Sequence, residues 1–114
     1  MVVKIKQSEN DFQNTIIELA QRLGWKVAHF RGVRIQRRDG TVYYQTPVQA
    51  DGAGWPDLVL VHPSGRIIFA EVKSETGRLS KEQEMWLSLL AITQEEVHVW
   101  RPSDWDNIVA LLSQ

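Results

Sequence analysis

The sequence predicts an α/β domain with a central sheet flanked by helices, and three observations carry that expectation. Phe12, Ile16, Leu19 and Leu23 recur at spacings of four, three and four, which is one face of a helix. Leu58-Val59-Leu60-Val61 and Ile67-Ile68-Phe69-Ala70 are apolar at every position, as central strands covered on both faces are. Helical segments with their own caps then alternate with a short strand toward the C-terminus. The 114 residues have the length of one domain, 1–114. A 43% hydrophobic and 24% charged composition is that of an ordered globular chain.

Each element has a local reason. Ser8 is placed to cap the first helix, with Asp11 three residues on as its partner, and Gly24 to end it. Trp25 to Phe30 reads as a strand. Val33–Arg38 and Thr41–Gln45 flank Asp39-Gly40, a two-residue hairpin signal. The glycines and prolines from Thr46 to Pro56 make a loop. Asp57–His62 and Arg66–Lys73 are strands around the turn Pro63-Ser64-Gly65. Ser80 and Gln83 form a capping box for a helix that carries Met85, Trp86, Leu89, Leu90 and Ile92. Glu96–Trp100 is a short strand, and Ser103 caps a last helix with Trp105, Ile108, Val109 and Leu112 inward.

Composition excludes several classes. No apolar run approaches the ~18 residues of a membrane span, and Met1-Val2-Val3-Lys4-Ile5-Lys6 lacks the apolar core of a signal peptide. The absence of cysteine removes disulfides, thiolate metal sites and a cysteine nucleophile. A soluble protein of the cytoplasm is expected. The net charge of -1 conceals an asymmetry. Up to Arg38 eight basic residues face three acidic ones, whereas beyond it five face eleven. A local basic stripe is what a phosphate backbone would meet, although a solvated hairpin rim reads the same way.

The most informative segment is the apolar hairpin. If its turn centres on Ser64, Asp57 faces Glu71, Val59 faces Phe69, and Lys73 points the same way two residues on. Two carboxylates about 5 Å apart repel by about 3 kcal/mol at an effective dielectric of about 20, and partial desolvation adds to that. A divalent cation between them would remove the repulsion, and hard oxygen ligands that leave water positions open suit Mg²⁺ or Mn²⁺. The structural alternative is an ion pair of Lys73 with Glu71 or Asp57. A one-residue slip in register would put Asp57 on the opposite face.

Pro56-Asp57 followed by Glu71-Val72-Lys73 resembles the PD-(D/E)xK nuclease signature. The wider frame Gly54-Trp55-Pro56-Asp57-Leu58, Glu71-Val72-Lys73 and Gly77-Arg78-Leu79-Ser80-Lys81-Glu82-Gln83 is similar to the VRR-NUC branch, the virus-type replication-repair nuclease domain that stands alone in phage and bacterial proteins. The resemblance implies a restriction-endonuclease-like fold with a central mixed sheet, in a bacterial or phage-infected cell. It implies that Asp57, Glu71 and the Val72 backbone carbonyl ligate Mg²⁺ or Mn²⁺. Lys73 would orient the attacking water and stabilise charge on the phosphate. Glu9 would reach the ion through water or hold a second one, and Gln83 would face the site. The reaction would be hydrolysis of a DNA phosphodiester, with no organic cofactor.

Glu9 also has a structural reading as a first-turn partner of the helix dipole, and Gln83 as the capping residue. His29, His62 and His98 share no metal-like spacing, and Trp55 beside Pro56 either stacks on a base or braces its loop, bracing being the reading preferred. Arg31, Arg34, Arg37 and Arg38, with Lys26, are placed to track a nucleic-acid backbone, and Arg78 and Lys81 are further phosphate candidates. No base-reading motif is present, which favours recognition by shape. The expected activity is a metal-dependent endonuclease of DNA replication, repair or recombination, acting on branched DNA such as Holliday junctions or flaps. Symmetric cutting of a junction needs two sites and so a homodimer. The other readings are a non-catalytic nucleic-acid-binding module of the same fold and a small sequence-specific restriction-type enzyme.

Overall fold

The structure is a computed structural model that describes residues 8–30, 33–45 and 48–114. Helix α1 spans Glu9–Arg22, and the Ser8 hydroxyl accepts from the Asp11 N–H at 3.1 Å, satisfying an amide that the first turn leaves without a helical acceptor. Gly24 follows at φ +92, the left-handed conformation that lets the chain reverse into strand β1, Lys26–His29. Strands β2 (Val33–Gln36) and β3 (Val42–Gln45) pair with each other alone, as a separate two-stranded ribbon.

The central sheet is built from β1, β4 (Leu58–His62), β5 (Arg66–Val72) and β6 (Glu96–Trp100), in the order β1-β4-β5-β6. The first two pairings are antiparallel and β5–β6 is parallel, so the sheet is mixed. Helix α2 (Lys81–Ile92) makes the β5-to-β6 crossover, and α3 (Trp105–Leu112) closes the described chain. The architecture is the sheet flanked by helices that the sequence predicts. No helix among the described residues is long and apolar enough to cross a membrane.

One sheet face is the core. Leu58, Leu60, Ile68, Ala70 and Val72 are fully buried and cluster with Phe12 and Ile16 of α1 and Ile108 and Leu112 of α3. The Trp25 indole N–H donates to the Leu112 carbonyl at 3.0 Å, tying the start of β1 to the end of α3. Arg66 locks the far edge: its guanidinium meets Glu96 at 2.6 Å and the Leu111 carbonyl at 3.1 Å.

The opposite face is covered only in part, and here the sequence expectations need correction. Val61 is 44% exposed, although its strand was expected to be covered on both sides. On α2, Trp86 and Leu90 are half-buried, but Met85, Leu89 and Ile92 stand exposed, Ile92 at 77%. Apolar spacing identifies a stripe but not the presence of a surface to receive it. The ribbon turn also differs. Gln36 pairs with Val42, the Arg37 N–H donates to the Thr41 carbonyl, and Gly40 takes φ +88. That is a three-residue loop ending in a left-handed glycine, with Asp39 accepting from the Thr41 N–H at 2.9 Å. Ser103 does not cap α3. It lies in a short 3₁₀ turn, Pro102–Asp104, and its N–H donates to the Glu75 carboxylate.

Candidate active site

The β4–β5 register is the one the turn at Ser64 predicts, with Leu58 opposite Ala70, Leu60 opposite Ile68 and His62 opposite Arg66. It brings Asp57 and Glu71 to the open end of the hairpin. The Asp57 Oδ2 accepts from the Val72 N–H at 2.9 Å, and the Asp57 carbonyl accepts from the Phe30 N–H at 2.8 Å. Lys73 follows at once, its N–H donating to the Trp100 carbonyl of β6 at 3.0 Å.

Glu71 is the unusual residue, a carboxylate only 1% exposed. Its Oε1 accepts from the Gln83 amide at 3.1 Å, and its Oε2 is buried with no donor among the described residues. Burial pushes the Glu71 carboxyl up to about 9, helped by hydrogen-bond contact with the Asp57 carboxyl and by that carboxyl's charge. The Lys73 ammonium pulls the other way, and Glu9 adds a smaller upward push. The four residues thus share one electrostatic neighbourhood. Glu9 is the first residue of α1 and is exposed to solvent.

Gln83 bonds both the helix cap and Glu71. Its Oε1 accepts from the Ser80 N–H at 2.8 Å while the Ser80 hydroxyl accepts from the Gln83 N–H at 3.1 Å, closing the capping box. With the amide oxygen so engaged, only the NH₂ remains to meet Glu71. The close approach of the loop to α2 has a stated requirement as well. At Gly54, φ +85, a Cβ would lie 2.4 Å from the Glu82 carbonyl carbon and 2.6 Å from the Gln83 nitrogen. Glycine is what allows the Asp57 loop to lie against the start of α2.

Sequence reasoning missed Arg101. Its guanidinium donates to the carbonyls of Ser74 at 2.6 Å and Gly77 at 2.7 Å, clamping the loop that leaves Lys73. Nothing in local spacing marks it, because donor and acceptors lie on different elements.

The expected phosphate contacts are dispersed. Arg31 lies outside the described residues, and Arg34 is in β2 with its side chain likewise outside them. Arg37 stacks over the Tyr43 ring at 4.6 Å, and Arg38 is exposed at the ribbon tip. Lys26 is exposed on β1, and Arg78 and Lys81 are exposed just past the carboxylates. Two histidines make structural contacts: His62 bonds Ser64 and packs edge-on against Trp25, and His98 stacks on Trp100, with burial lowering its pKa, while His29 is exposed on β1.

Comparison with known proteins places this geometry. The VRR-NUC domain pattern matches residues 36–103, more than half of the chain. The chain belongs to the VRR-NUC domain family. The matched span of this nuclease domain contains Asp57, Glu71, Lys73 and Gln83 and leaves out Glu9. A Fanconi-associated nuclease 1 homolog from Schizosaccharomyces pombe is 46% identical over 48 residues, which cover 41% of this chain and 7% of that protein. No solved structure matches.

The donor set of the VRR-NUC site fits a hard divalent cation. Among the described residues, no three His, Cys, Asp or Glu side chains gather into a cage of their own. Asp57 and Glu71 do converge, and the buried Glu71 Oε2 lacks a donor. Two carboxylates completed by a backbone carbonyl and water suit Mg²⁺, which keeps several of its waters.

Proposed function

We propose that this VRR-NUC domain is a divalent-metal-dependent DNA endonuclease selective for branched DNA. The observation that carries the reading is the buried Glu71 Oε2, without a donor, beside the Asp57 carboxyl. Such a pair is costly for a purely structural element, and its chemistry fits Mg²⁺ or Mn²⁺ held by Asp57, Glu71 and the Val72 carbonyl. When bound, the ion polarises the scissile phosphoryl oxygen and lowers the pKa of water.

The side chains supply the remainder. Lys73, close enough to act on Glu71, orients the attacking water and offsets charge building on the phosphate. Gln83 keeps Glu71 in place through its amide. Glu9 approaches from α1 through water. Arg37, Arg38, Arg78 and Lys81, with Arg31 and Arg34, hold the DNA backbone by charge rather than by reading bases. Cutting both strands of a junction calls for a homodimer.

The test is cleavage of labelled four-way junction, flap, single-stranded and linear duplex DNA with Mg²⁺, Mn²⁺ or EDTA, by wild type and Lys73→Ala. Metal-dependent cutting that Lys73→Ala loses is the expected result. DNA binding without cutting in either metal overturns it in favour of a binding module.

A further inference from the structure

A pocket of about 400 Å³ is walled by Phe30, Val48, Trp55 and Trp86 and floored by the loop from Ala50 to Gly52. It is a constructed space. Trp55 meets Trp86 edge-on at 5.0 Å and Phe30 at 6.0 Å, and the Trp86 indole N–H donates to the Asp51 carbonyl at 3.0 Å. Ala50 is held at φ +58, a conformation that costs a non-glycine residue about 1 kcal/mol or more. At Gly52 a Cβ would lie 2.4 Å from the Val48 carbonyl oxygen, so the floor is tightly wound. None of this is used by the phosphodiester chemistry.

The pocket shares no lining residue with the carboxylate site, but its walls flank that site along the chain. Trp55 lies two residues before Asp57, and Trp86 one helical turn beyond Gln83. Phe30 donates its N–H to the Asp57 carbonyl and is the last described residue before the basic ribbon. Phe30 and Trp55 set the pocket beside the end of the strand that carries Asp57. Fixed aromatic walls at such a place fit a flat, apolar-faced group, and in DNA that group is a nucleobase. A base stacked and paired within a duplex cannot enter, whereas an unpaired one can.

We propose that the Phe30–Trp55–Trp86 pocket receives an unpaired nucleobase next to the cleaved phosphate, so that Trp86 positions single-stranded DNA at the nuclease centre. This deepens the nuclease reading and rests on it.

The test uses the full chain in EDTA, where DNA is bound without being cut, and a duplex with a short unpaired branch carrying 2-aminopurine at successive positions, beside the fully paired control. In wild type, 2-aminopurine fluorescence should change at one or two unpaired positions beside the junction and at no paired position. The ratio of the paired to the unpaired Kd should fall about five- to thirty-fold toward one in Trp86→Leu and be restored by Trp86→Phe. Position-independent fluorescence, or an unaltered Kd ratio in Trp86→Leu that melts like wild type, overturns the pocket while leaving the nuclease reading standing. Failure of wild type to bind either DNA overturns the pocket, and the nuclease reading is then decided by the cleavage assay in Mg²⁺ or Mn²⁺. If Trp86→Leu does not fold, the wild-type fluorescence map decides alone.

Discussion

The Gln83 amide donates to Glu71 Oε1 over 3.1 Å while its own oxygen accepts from the Ser80 N–H at 2.8 Å. One side chain therefore couples the cap of α2 to the buried carboxylate, and neither contact can be lost alone by removing it. Gln83→Ala should lower stability by about 1–2 kcal/mol, through loss of the cap and of a buried hydrogen bond. Gln83→Glu separates the two, since glutamate also completes a capping box but sets a carboxylate against Glu71. Its melting temperature in EDTA should fall below wild type, and the gain on adding Mg²⁺ should exceed that of wild type. Thermal melts with and without Mg²⁺ check both outcomes.

The raised Glu71 carboxyl predicts the pH dependence of the metal-free protein. Between its unfolded value near 4.5 and its folded value of about 9, the folded chain holds a proton that the unfolded chain has lost. The associated stability is full below about 4.5 and declines as pH rises toward 9, by at most about 1.4 kcal/mol per unit. Urea melts in EDTA from pH 5.5 to 8.5 should show this decline. Saturating Mg²⁺ should flatten it by displacing the proton, and Glu71→Gln should lack Glu71's share of the slope.

Lys73→Ala should reduce single-turnover cleavage by about 10²–10⁴-fold, the range expected when a positioned charged group is removed from the reacting centre. Its melting temperature should not fall in parallel, because the backbone contact to Trp100 survives the change. A parallel loss of stability would instead return Lys73 to the role of a structural ion-pair partner.

Gly54→Ala meets two obstacles, a positive φ and the α2 backbone 2.4 Å away. It should destabilise the fold by about 2 kcal/mol or more and separate Asp57 from Gln83, lowering cleavage beyond what the melt accounts for. Gly40→Ala is the control, with positive φ but nothing within 4 Å of the added carbon. It should cost about 1 kcal/mol and leave cleavage unchanged.

The β4–β5 hairpin was legible in the sequence because a short turn fixes its register. Once Pro63-Ser64-Gly65 is recognised, the opposition of Leu58 to Ala70 follows, and Asp57 and Glu71 come with it. The capping box at Ser80 was equally local. What escaped was long-range or depended on a partner surface. Arg101 reaches a loop more than twenty residues earlier, Arg66 finds Glu96 across β5 and β6, and Met85, Leu89 and Ile92 carry a helical apolar spacing with no surface over them. The three-residue ribbon loop was missed because Asp-Gly serves both turn lengths, and only the Gln36–Val42 pairing distinguishes them.

The carboxylates stand at the mouth of the β4–β5 hairpin, as far as they can be from its turn at 63–65. Zipping outward from that turn secures the pairs His62–Arg66 through Leu58–Ala70 before Asp57 meets Glu71. Local contacts with little loop entropy to overcome form first, so the two carboxyl groups are brought together when the strands are already aligned. The cost of burying them therefore burdens the final state and not the route to it, and relieving it with a cation should slow unfolding more than it speeds folding.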